Sequence, residues 1–75
     1  MALWLFKECD KTLLCLNVHE DGTVSSAFAG PDFQDEEPLR RALCLGIMEE
    51  LVDYQLDFFD YKKYYINDFH FERVD

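Results

Sequence analysis

Seventy-five residues with a formal charge of −9 make one small domain, 1–75, with no room for a second core. Such an acidic balance repels phosphates and anionic headgroups, which excludes direct binding to nucleic acid or a membrane surface and favours a basic protein as partner. With 49% hydrophobic and 16% aromatic residues, the chain has the apolar content to offset the entropy of folding, unlike an acidic disordered tail.

The opening run Ala2 to Lys7 holds five apolar residues before Lys7 and Glu8, too few for a signal peptide or a membrane span, so the chain is expected to be cytoplasmic. It reads as a first strand. Glu8 to Thr12 is a polar connection, and Leu13 to His19 is a second strand ending at Glu20-Asp21-Gly22, a strong hairpin signal. A two-residue loop at Asp21-Gly22 would set Leu14, Leu16 and Val18 opposite Ala29, Ala27 and Ser25. A three-residue loop, Glu20-Asp21-Gly22 with Gly22 left-handed, sets them opposite Phe28, Ser26 and Val24. The second register gathers more apolar bulk on one face and is the expected one, with Thr23 to Ala29 as the third strand.

Gly30 to Gln34 is a turn-rich link, and Asp35-Glu36-Glu37-Pro38 marks a helix start, with carboxylates at the positive end of the dipole and proline in the first turn. Leu39, Leu43, Ile47, Leu51, Tyr54 and Phe58 follow at helical spacing as the expected buried face, with Ala42 and Gly46 allowing close approach to the sheet. Leu45, Met48, Val52 and Leu56 broaden it beyond a minimum stripe, consistent with either a deep groove or a second contact surface. A helix running on to Tyr65 would be about 43 Å long, too long for so small a sheet, so a break is expected between Gln55 and Asp60. A short second helix from Asp57 to Tyr65 is compatible with that break. Tyr64 to Arg73 reads as a last strand, with Asn67, Phe69 and Phe71 alternating with Asp68, His70 and Glu72. The expected fold is therefore α+β: a small antiparallel sheet of three to four strands in β-β-β-α-β order, packed by one main helix.

Chemical signatures are sparse. There is no glycine-rich phosphate loop, nucleophile elbow or H-x-x-x-H pair, so no enzyme and no cofactor are expected. Cys9, Cys15 and Cys44 are odd in number and lack C-x-x-C spacing, which points to reduced thiols, Cys15 and Cys44 as packing residues and Cys9 exposed. Asp68, His70 and Glu72 share a strand face as polar alternation dictates, so no metal site is assigned to them. His19, beside Glu20 and Asp21, reads as a turn residue.

The strongest signal is a one-sided run of carboxylates. On a continuous helix Glu49, Asp53, Asp57 and Asp60 fall within an arc of about 80° and span about 16 Å, or about one charge per 5 Å against one per 3.4 Å along a duplex strand. No lysine answers them at the matching i,i+4 positions. These four, with Tyr54 and Tyr61, are the expected partner-binding residues. In size and charge the chain is similar to small acidic phage-encoded inhibitors of restriction or CRISPR complexes, a resemblance that implies docking of the acidic face on a nucleic-acid-binding groove. The alternative is a self-assembling structural or adaptor domain, a homodimer closed by surplus apolar surface. Its order of three strands and a helix loosely resembles antitoxins of the HicB type.

Overall fold

The computed structural model describes residues 1–74. Its fold is α+β: strands β1 (Ala2–Glu8), β2 (Lys11–Val18), β3 (Val24–Ala29) and β4 (Phe69–Arg73) form one antiparallel sheet in the order β3-β2-β1-β4. A main helix follows β3. It begins as α1 (Pro38–Met48) and continues as a π-helical turn over Glu49–Asp53. A short α2 (Phe58–Tyr61) and a 3-10 turn (Lys62–Tyr64) lead to β4, so the expected break and second helix are both present. No helix among the described residues is long and apolar enough to cross a membrane.

The first two strands meet in a two-residue turn, Cys9-Asp10, tighter than the five-residue connection expected, and Cys9 adopts φ 55° there. The second hairpin has the expected three-residue loop, with His19 accepting from the Gly22 N–H at 3.0 Å and donating to the Thr23 carbonyl at 2.8 Å. Gly22 takes φ 93°, which few other residues would adopt. The register expected from that loop survives only at Val18 opposite Val24. A bulge then absorbs one residue at Ser25, so Leu16 faces Ala27 and Leu14 faces Ala29. Phe28 is thereby turned to the outer face opposite Cys15 and is 49% exposed. The expectation of Phe28 on the core face is corrected by this bulge: the extra residue exchanges the faces of everything beyond it.

Inward-facing Phe6, Leu14, Leu16, Val18 and Val24 form the core with Leu13, Phe33, Cys44, Ile47, Leu51, Phe58 and Tyr61. Leu13 and Leu14 are both fully buried, because a second bulge lies there opposite Phe6 and Lys7. Phe6 anchors the C-terminal rings, with Tyr65, Phe69 and Phe71 at centroid distances of 5.2, 5.8 and 4.8 Å. Trp4 and Phe71 both pack edge-on to Phe58. Of the aromatic crowd after Glu49, Phe58, Tyr61, Tyr65, Phe69 and Phe71 are therefore spent on packing, while Tyr54 and Tyr64 stay outside. The last strand starts at Phe69, not Tyr64, since the chain from Lys62 still turns back towards the sheet.

The buried line of the main helix also differs from the one expected. Cys44, Ile47 and Leu51 are buried, whereas Leu39 is 80% and Tyr54 67% exposed, and Leu43, Ala42 and Gly46 face out. The reason is angular: each step of four overshoots a full turn by about 40°, so a line of repeated fours walks around the helix, while steps of four, three and four from Arg40 return to one side. Gly46 has nothing within 4 Å of where a Cβ would stand, so it serves no close approach. Gly30 does: a Cβ there would lie 2.5 Å from the Thr12 carbonyl oxygen.

Candidate functional site

The two ends of the main helix are built by opposite rules. At its entrance Glu37 takes the N-cap position and Pro38 opens the first turn, as the orphan N–H groups and positive dipole end favour. Glu36, 5% exposed, lies against Lys11 at 3.4 Å and Arg40 at 3.7 Å. The Arg40 guanidinium donates to the half-buried Glu8 carboxylate and sits 5.3 Å over the Phe69 ring, while Arg41 donates to the Glu36 carbonyl. A hydrogen bond with the Glu8 carboxyl group, joined by those from Lys11 and the charge of Arg40, holds Glu36 below the usual carboxylate range despite burial. Glu8, Glu36, Glu37, Lys11 and Arg40 all enter ion pairs at this end, although one buried carboxylate oxygen each of Glu8 and Glu36 has no hydrogen-bond partner.

At the exit the helix loosens instead. The Tyr54 N–H bonds back to Glu49 and the Leu56 N–H to Glu50, so the last turn is wide. Gln55 then closes it at φ 52°, a left-handed position usually given to glycine at helix ends. Glu49, Glu50 and Asp53 all lie in this final turn with no basic residue among them. Carboxylates there face the negative end of the helix dipole and one another. None of the ion pairs among the described residues includes Glu49, Asp53 or Asp57.

The six residues expected to bind a partner are thus sorted by the fold. Glu49, Asp53 and Tyr54 stay exposed at the exit. Asp57 lies beyond the break, so the four carboxylates do not form one helical stripe and the 80° arc is corrected. Asp57 caps α2, accepting from the Phe59 N–H at 2.9 Å, and its carboxylate packs against Gly22 of the β2–β3 hairpin. That contact sets the hairpin acids beside it, where Asp21 accepts from the Thr23 N–H and is thereby held below its ordinary pKa. Asp60 pairs with Lys63 at 3.4 Å. Tyr61 is a core residue, 8% exposed, whose hydroxyl lies 3.3 Å from Glu50 and whose pKa is raised, first of all by burial. The break itself was expected from the length the helix would otherwise reach; what the 80° arc left out is that it separates Asp57 and Asp60 from Glu49 and Asp53.

Beside the exit runs a shallow groove lined by Ala27 of β3 and by Leu45, Met48, Val52, Glu49 and Asp53, on the side of the helix where its broad apolar band left a second contact surface open. What sequence alone did not show is that Ala27 of β3, Glu49 and Asp53 join Leu45, Met48 and Val52 in this groove. Its make-up is apolar along the floor and acidic along the rim. No cluster of three or more His, Cys, Asp or Glu among the described residues is arranged to hold a metal ion. Burial pushes the Cys44 thiol up to about 11, with Glu36 and Glu8 adding to the effect, and burial also raises Cys15. No protein-family model, curated protein or solved structure matches this chain.

Proposed function

We propose that this protein is an acidic interaction module that docks the exit of its main helix on a basic surface of a protein partner, acting as an inhibitor or regulator of a nucleic-acid-binding protein. The observation that carries this reading is the concentration of unfavourable local choices at one place. A π-helical turn, a left-handed glutamine and carboxylates at the negative helix end coincide beside an exposed apolar groove. Departures from local preference gather where function sets the sequence, and π-turns are frequent at such sites. A cationic partner relieves the repulsion, and the groove floor supplies apolar contact. The departures at Asp57 and Tyr61 narrow the surface to Glu49, Asp53 and Tyr54, with Asp60 and the hairpin acids at its margin.

Captures from a host lysate with wild-type protein and with a Glu49→Gln/Asp53→Asn variant, at low and high salt, test it. Basic proteins retained by the wild type at low salt, and lost by the variant or at high salt, are the expected result. Equal retention by the two proteins would contradict the reading.

A further inference from the structure

Resting on that reading of the helix exit, we infer that the partner binds as an extended strand added to the free edge of β3, with cationic side chains turned towards Glu49 and Asp53. The two edges of the sheet differ. Edge strand β4 carries His70, Glu72 and Arg73, and Ile66 bridges to its outer side at His70; charges and a covering segment are the usual protection of an edge. Edge strand β3, Val24–Ala29, reads Val-Ser-Ser-Ala-Phe-Ala with no charge and no proline. Its bulge at Ser25 lies near the hairpin, and beyond it the strand keeps one register through Asn17–Ser26, Leu16–Ala27, Cys15–Phe28 and Leu14–Ala29.

The ladder's phase shows which groups are free. Gly30 donates to the Leu13 carbonyl at 2.8 Å, and hydrogen-bonded pairs alternate along an antiparallel ladder. Phe28 and Ser26 therefore bond to β2, while Ala27 and Ala29 turn their N–H and C=O groups outward. A strand laid along them would place alternate side chains on the inner side, at the groove rim of Glu49 and Asp53, and the others beside exposed Phe28. The favoured segment alternates lysine or arginine with apolar residues, its main chain giving affinity and its charges register. A second copy of this chain would meet the same edge with its own Glu49 and Asp53 and a charge of −9, so charge complementarity selects the cationic partner.

A blocked eight-residue peptide of alternating lysine and valine is the probe, titrated by NMR with amide hydrogen exchange into the full chain, Ala27→Pro and Glu49→Gln/Asp53→Asn. Proline at position 27 removes only an outward N–H, which edge strands tolerate. The expected result is slowed exchange at Ala27 and Ala29 at saturation, with affinity falling about tenfold in Ala27→Pro through the lost hydrogen bond and obstructed edge and falling at low salt in the charge variant. Absence of protection at both alanines in the wild-type chain overturns strand addition, whether or not Ala27→Pro folds. Binding that is lost in the charge variant but kept in Ala27→Pro overturns strand addition while leaving the acidic site standing; no loss in either variant overturns both. Sedimentation of a dimer that Ala27→Pro returns to monomer would put a second copy on this edge and equally overturn the inference.

Discussion

The entrance and exit of one helix show how the same residue types serve opposite ends. At the entrance Glu36 and Glu37 sit where the dipole welcomes them, and Arg40 and Lys11 answer the carboxylates around it. At the exit Glu49, Glu50 and Asp53 sit where the dipole opposes them, with no cation in the turn. Net charge alone does not distinguish the two. The difference teaches that acidity in this chain has two causes: one set of carboxylates organises the packing of sheet and helix, and the other is held on the surface at a cost to the isolated fold.

The largest effects belong to the entrance and the ring cluster beneath it. Phe6 is fully buried against three rings, one of which carries Arg40, so Phe6→Ala is expected to cost about 3–5 kcal/mol and to unfold much of the population in chemical denaturation. A loss as small as that of a surface change would break the claim that this end is the structural one.

Acid titration separates the ends next. Glu36 has a folded pKa below its unfolded value, so its contribution is fully present above the unfolded value of about 4.3 and is lost as pH falls through the lower folded one. Melting temperature should therefore drop below about pH 4 in the wild type and drop less steeply in Glu36→Gln, which starts from a lower stability at neutral pH. Parallel pH profiles would remove Glu36 from the account.

A smaller effect of opposite sign is expected at the exit. Gln55 holds φ 52°, so Gln55→Gly should relieve a left-handed position and stabilise by about 0.5–1 kcal/mol, less the added freedom of the unfolded chain. Destabilisation on thermal melting would mean that the glutamine side chain supports the turn and that the exit is not strained.

Sheet and helix were legible in the sequence because their signals are local: alternation across Leu13 to Val18, the Asp21-Gly22 loop, and acids before Pro38. What escaped depended on single residues inserted against the period. The Ser25 bulge reversed the faces of β3 and exposed Phe28, and nothing in Ser25-Ser26 announces it. A run of fours misled on the buried face, since Cys44 rather than Leu43 points inward. For the candidate site, the excess of acids and the break were both readable, but not what the break does to the acids: it divides the stripe, commits Asp57 to a cap and leaves Glu49 and Asp53 beside a groove.

The central claim is that the exit carboxylates are placed against the stability of the isolated fold. Thermal unfolding of Glu49→Gln/Asp53→Asn beside the wild type, at low and at high ionic strength, tests it most directly. Removing the i,i+4 repulsion and the clash with the dipole should leave the variant equal to or more stable than the wild type by about 0.2–0.5 kcal/mol at low salt, a margin that vanishes at high salt as screening removes the repulsion. A variant clearly less stable than the wild type would show that these carboxylates serve the fold, and would contradict the account.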